Sequence, residues 1–207
     1  MKPRLVVLDY GSGNLRSAER ALTRVGGDVV VTSDVDVARA ADALVVPGVG
    51  AFAACMAGIH EVGGDEVVRE RLAAERPVLG ICVGMQVMYA QGVEHGVTTD
   101  GIGVLDGTVT QLVADIVPHM GWNTVDPPAD SVLFRGIEDE RFYFVHSYAA
   151  TTADGAKATW AHHGQRFVAA IERGPLMATQ FHPEKSGDVG AQLLKNWLTT
   201  IAGGATG

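Results

Sequence analysis

Cysteine is scarce in this chain. Only Cys55 and Cys82 occur among 207 residues. Two cysteines with no C-x-x-C spacing make neither a disulfide framework nor a dithiol motif, which fits a reducing compartment; a cytoplasmic location is expected. Positive charge is also short, with 16 Lys and Arg against 24 Asp and Glu and a formal charge of −8. With no basic patch interleaved with aromatics, nucleic acid is not expected as a partner. No apolar run has membrane length. The longest uncharged stretch, Ala43 to Ile59, is interrupted by Pro47, Gly48, Gly50 and Gly58, whereas a span needs about 20 predominantly apolar residues. No membrane association is expected, and Met1-Lys2-Pro3 leads into an apolar run without the pattern of a signal peptide. Repeats, low-complexity tracts and linkers are missing too, so residues 1–207 are expected to form one domain with a substantial core.

Glycine, by contrast, is plentiful at 26 positions, roughly twice the usual share of ~7%. The glycines are scattered between apolar segments, which implies tight turns rather than disorder. In the first half those segments alternate in type. Leu5–Leu8, Val29–Val31, Ala43–Val46 and Val78–Leu79 read as short buried strands. Between them, Leu15, Ala18, Ala21, Leu22 and Val25 recur at helical spacing, with Asn14 as cap and Gly26-Gly27 as stop. Val67, Val68, Leu72 and Ala73 form a second helical face. Strands alternating with helices imply an α/β fold with a mostly parallel central sheet covered on both faces, its reactive groups at the strands' C-terminal ends. The second half is richer in strands, at Val104-Leu105, Thr108–Gln111, Arg141–Val145, Ala158–Ala161, Phe167–Ile171 and Met177–Phe181, before a closing helix from Val189 to Ile201.

Gly80-Ile81-Cys82-Val83-Gly84 carries the chemistry. A cysteine between glycines, after an apolar strand and before Met85–Tyr89, which reads as a helix, is the layout of a nucleophile elbow. Glycines would let the backbone take the strained turn, and the helix dipole would favour a thiolate at its start. At the other end of the chain, Phe181-His182-Pro183-Glu184 closes the last strand. Residues two apart on an extended chain face the same way, so Glu184 can orient the His182 ring towards a nucleophile, the logic of a triad. A zinc deaminase also carries His-x-Glu but needs P-C-x-x-C beyond it. No cysteine follows His182, and His162-His163 would diverge on a strand, so no metal site is expected. Cys55 reads as a small core residue.

With these motifs in place, the chain resembles the class I (triad) glutamine amidotransferases from Arg4 to about Ile201. The resemblance implies a flavodoxin-like fold without a cofactor. It puts the nucleophile on Cys82, the acid/base on His182 and the orienting carboxylate on Glu184. Gln86 would help to hold the substrate amide, and the backbone of Ser147-Tyr148 would line a glutamine pocket. Pro47-Gly48-Val49-Gly50 falls where the family keeps its oxyanion strand, so Gly48 and Gly50 would lie against the substrate. The oxyanion donors would be the backbone amides of Val83, by elbow geometry, and Val49.

Three segments, Tyr10–Ser17, Pro47–Phe52 and Pro118–Asn123, resemble the branch that serves imidazole glycerol phosphate synthase. Relatives serving anthranilate, GMP, purine or pyridoxal phosphate synthesis carry other residues at Pro-Gly-Val-Gly. The resemblance implies a heterodimer with a separate (β/α)8-barrel cyclase of histidine biosynthesis, which takes ammonia through an internal channel and activates the glutaminase when its own ligand binds. It places Asn14, His119, Met120, Trp122 and Lys185 at or near that interface. The alternatives are a glutaminase for another synthase and a cysteine hydrolase of the same architecture acting alone; Gln86 and Phe181–Glu184 weigh against the second.

Overall fold

A computed structural model describes residues 2–203 of the chain. The first half alternates as its apolar runs dictate: β1 (Arg4–Leu8), α1 (Leu15–Arg24), β2 (Asp28–Thr32), α2 (Val35–Ala40), β3 (Ala43–Gly48), α3 (Phe52–Glu61), α4 (Gly64–Ala73) and β4 (Val78–Cys82). The single turn α5 (Val83–Gln86) follows, then β5 (Tyr89–Glu94), β6 (Val97–Asp100), β7 (Leu105–Gln111), β8 (His119–Thr124) and β9 (Arg141–His146). The chain continues through β10 (Tyr148–Ala150), β11 (Lys157–His163), β12 (Gln165–Arg173) and β13 (Leu176–Thr179), a 3₁₀ turn at Pro183–Lys185, and α6 (Gly187–Gly203).

The main sheet has seven strands in the order β11-β12-β13-β4-β3-β1-β2. The pairs from β13 to β2 are parallel, and β11 and β12 are antiparallel. Every residue of β3, β4 and β13 is buried, because helices cover both faces of such a sheet. That is why these strands read as unbroken apolar runs instead of alternating ones. A four-stranded sheet, β10-β7-β5-β6, and a two-stranded ribbon, β8-β9, complete the fold. Phe142 and Phe144 of β9 pack on Phe181 and Phe167, with ring centroids 4.4 and 5.8 Å apart, which seats the ribbon against the main sheet beyond β13. Among the described residues no helix is long and apolar enough to cross a membrane.

Three sequence expectations need correction. The helix expected over Met85–Tyr89 stops at Gln86, and Tyr89 is a buried strand residue paired with Leu105. Leu105–Gln111 is one strand, where the sequence suggested two pieces; the smaller sheet has too few alternating apolar residues to announce itself. Asn14 does hold the position before α1, but its side chain makes no capping bond.

Candidate active site

Four neighbouring parallel strands deliver the reactive groups to one edge. In the order β13-β4-β3-β1, their C-terminal ends run into Gln180 and His182, Cys82, Gly48-Val49, and Tyr10 to Ser12. Gly48 lies directly opposite Cys82 in the register, and Thr179 opposite Ile81. Residues about one hundred positions apart therefore meet because parallel neighbours end together.

Cys82 has φ 57° and ψ −114°, a backbone state that costs a non-glycine residue of order 1–3 kcal/mol and persists only where its surroundings impose it. The strain of the elbow thus sits on the cysteine itself. Its flanking glycines serve a different need, close approach: a Cβ on Gly84 would lie 1.8 Å from the Val46 carbonyl oxygen, and one on Gly80 would lie 2.7 Å from that of Gly84. One helical turn carries little of a full macrodipole; the group that engages the sulfur is the His182 imidazole.

His182 Nδ1 and Glu184 Oε1 are 2.7 Å apart, with side chains 3% and 4% exposed. The pair forms through the 3₁₀ turn at Pro183–Lys185, which folds Glu184 back, and not through extended alternation as the sequence suggested. Burial pushes the His182 imidazole down, but hydrogen bonds and charge from Cys82 and Glu184 outweigh it and raise it to about 9. Its backbone is pinned as well. His182 N–H donates to the Tyr143 carbonyl (3.0 Å), and Ser186 Oγ donates to the His182 carbonyl (2.7 Å) while accepting from Tyr143 N–H.

The Pro47–Gly50 segment is held from behind. Tyr10 donates its hydroxyl to the Pro47 carbonyl. Ser12 Oγ (2.7 Å) and Cys55 Sγ (3.3 Å) both donate to the Val49 carbonyl, and Val49 N–H reaches Ser12 Oγ at 3.4 Å. The Val49 amide is thus engaged by Ser12. Cys55 is buried as expected, yet its thiol, which burial pushes up, works as a polar strut for this loop.

A cavity of about 210 Å³ opens at Cys82, lined by Val49, Gly50, Val83, Gln86, Glu94, the Val145–Tyr148 segment, His182 and Lys185. Gln86 spends its amide N–H groups on the Tyr148 carbonyl (2.9 Å) and Gln180 Oε1 (3.0 Å), leaving its oxygen open to a substrate amide. Gln180 Nε2 in turn donates to Cys82 Sγ at 3.7 Å. Sequence reasoning missed Gln180, although the two-residue rule that picked out His182 applies to it equally. It also missed Glu94, whose carboxylate lines the cavity and accepts from Phe52 N–H, and His146; nothing local to either residue marks it. A larger cleft, about 810 Å³, lies at the opposite strand ends near Pro3, Pro77 and Pro175, and no cysteine or histidine lines it. Among the described residues no three His, Cys, Asp or Glu side chains gather as metal ligands would.

Met120 and Trp122 are 65% and 54% exposed on the outer face of β8, and Lys185 is exposed as well. His119, assigned by resemblance to the same surface, is buried on the inner face of the strand.

The family description "Glutamine amidotransferase class-I" matches residues 6–201. The protein named imidazole glycerol phosphate synthase subunit HisH of Mycolicibacterium paratuberculosis is 62% identical over 201 residues, covering 95% of this chain and 98% of its own. The protein of the same name from Nocardia farcinica is 61% identical over 206 residues, covering 95% and 98%. Among solved structures, one titled as a glutamine amidotransferase superposes with a TM-score of 0.75 at 20% identity, covering 96% and 98% of the two chains. That likeness concerns the fold.

Proposed function

The chain belongs to the class-I glutamine amidotransferase family, among the imidazole glycerol phosphate synthase HisH subunits, and from that premise we propose how it hydrolyses glutamine to glutamate and ammonia for a separate cyclase subunit in histidine biosynthesis. The observation that supports the mechanism is the buried His182–Glu184 pair, placed just beyond β13 where that strand ends beside Cys82 of β4.

His182, its imidazole raised to about 9, acts as the base that takes the proton of the Cys82 thiol. The thiolate attacks the side-chain carboxamide carbon of glutamine, and the carbonyl electrons move onto oxygen. Collapse of that oxyanion expels ammonia, which takes its proton from His182. A glutamyl thioester remains. His182 then removes a proton from water, the hydroxide adds to the thioester, and glutamate leaves as sulfur recovers its charge. Glu184 keeps the ring oriented throughout.

Val83 N–H, directly after the nucleophile, is one oxyanion donor by elbow geometry. Val49 N–H is the other, and its bond to Ser12 Oγ must open first. Losing one such donor typically costs about 3 kcal/mol of barrier, so the subunit alone is expected to run slowly. Gly48 and Gly50 let the substrate approach the backbone, Gln86 receives the substrate amide with the Ser147-Tyr148 backbone, and Glu94 faces the substrate ammonium. Asn14, Met120, Trp122 and Lys185 meet the barrel cyclase, whose bound ligand turns the Val49 amide. Exposed Trp122 and Met120 support this, since aromatic anchors and Met are enriched at interfaces.

Replacing Cys82 by alanine tests the reading. Cys82→Ala should abolish glutamate release while leaving the cyclase complex active with added ammonia. Loss of both activities would contradict the division of labour, and retained hydrolysis would remove Cys82 as nucleophile.

A further inference from the structure

His119 and His146 face each other across the β8-β9 ribbon as a registered antiparallel pair, with ring nitrogens 2.9 Å apart. Both are buried, and neither is required by the chemistry above. Their hydrogen bonds assign themselves once one rule is applied: a carbonyl oxygen only accepts. His146 Nδ1 lies 2.9 Å from the Tyr148 carbonyl, so Nδ1 carries the proton and Nε2 is left to accept. His119 Nδ1 must then donate to His146 Nε2, and His119 Nε2 accepts from Asn123 Nδ2 at 3.1 Å.

The line continues inward. The Tyr148 carbonyl that receives His146 also receives Gln86 Nε2, Gln86 bonds Gln180, and Gln180 donates to Cys82 Sγ. Asn123, His119, His146, Tyr148, Gln86, Gln180 and Cys82 thus form one uninterrupted chain of hydrogen bonds, running from the strand that displays Trp122 to the sulfur. Burial lowers His119 to about 4 and His146 to about 3, the neighbouring histidines pushing the same way, so both rings are neutral near pH 7.

We infer that His119 and His146 are positioning residues: their hydrogen bond holds the Tyr148 carbonyl where Gln86 and Gln180 can orient the Cys82 thiol, and it joins the nucleophile to the Trp122-bearing strand. A buried polar network orders its members only when every one is satisfied. Plain aromatic packing is the competing account, because His119 stacks on Phe144 and His163 at 4.7 and 4.3 Å, and His146 packs on Phe167 at 4.9 Å.

Paired substitutions at each histidine separate the two. Phenylalanine keeps the stacking and loses the hydrogen bonds. Asparagine loses the stacking but places an amide nitrogen near Nδ1. The readout is the rate at which iodoacetamide alkylates Cys82 in the full-length chain, followed by mass spectrometry alongside Cys55, and then kcat and KM for glutamine in the complex with the cyclase. His146→Phe and His119→Phe should slow Cys82 alkylation about fivefold to tenfold, a margin set by one hydrogen bond, and should lower kcat/KM by a similar factor. His146→Asn and His119→Asn should retain more of both despite melting earlier. Asparagine variants slower than the phenylalanine variants, or all four matching wild type, would overturn the inference. Nitrogen NMR of the unsubstituted chain needs no variant to fold: both rings should be neutral with the proton on Nδ1, and a protonated or Nε2–H ring at pH 7 overturns it. The inference rests on the glutaminase reading, but alkylation and tautomer do not. Wild type that releases no glutamate with the cyclase present would sink that reading and leave the network standing.

Discussion

His182 is drawn in two directions: low-dielectric surroundings disfavour its charge, while Glu184 and Cys82 favour it, and the partners win. Since the folded value, about 9, lies above the ordinary histidine value of 6.5, the stabilisation is complete below about pH 6.5 and fades as pH climbs through about 9. In the proposed mechanism the departing ammonia takes this proton, so glutamine hydrolysis should fall over that alkaline range. Glu184→Gln removes one of the two raising partners. Its falling limb should move to lower pH and kcat should drop at least ~100-fold, as orienting carboxylates in triads typically do. A pH–rate profile of both proteins checks this; an unmoved limb would deny Glu184 its role.

At the scale of elements, the elbow is a packing problem as much as a torsional one. α5 sits so tightly over β3 and β4 that Gly84 has no room for a methyl group against Val46. Gly84→Ala should displace the turn or β3 and cost about 3 kcal/mol or more, the upper end of overpacking. Thermal unfolding measures the loss, and a variant melting within a degree of wild type would show that the contact is softer than drawn. Gly50, with φ +86° and open space where a Cβ would lie, faces the opposite constraint, torsion without crowding. The motif glycines look alike in sequence, and only their neighbours reveal which limit applies.

Across the whole molecule, the ribbon β8-β9 links an outer surface to the site. Met120 and Trp122 point outward, His119 and Asn123 inward, and Tyr143 of the same ribbon accepts the His182 N–H. Trp122 packs edge-on to Tyr143, ring centroids 6.0 Å apart, and the Tyr143 carbonyl accepts from His182 N–H, so a partner pressing on the indole would press on the residue that holds His182. Trp122→Ala should weaken association with the cyclase by about 2 kcal/mol, the scale of an interface anchor, or roughly 30-fold in Kd. Titration calorimetry would show it, with the free chain's melting temperature unchanged. Unaltered affinity would place the contact elsewhere.

How much of this was legible beforehand depends on how local the cause is. The first-half alternation, the buried strands and Cys82, His182 and Glu184 all rest on runs or spacings within a few residues, which sequence displays directly. Gln180 was legible by the same spacing. The β5-β6 hairpin was not, because its strands are half exposed and their pairing supplies what their composition lacks. Sequence by itself determined which residue types were available and which short segments could be strand, turn or helix, since those choices follow from side-chain period and backbone torsion. The tertiary structure alone decided that Cys55 braces Val49, that His119 turns inward to His146, and that the elbow's strain rests on Cys82. Each of these depends on which strands become neighbours and where they end, and strand order is settled by burial summed over the whole sheet.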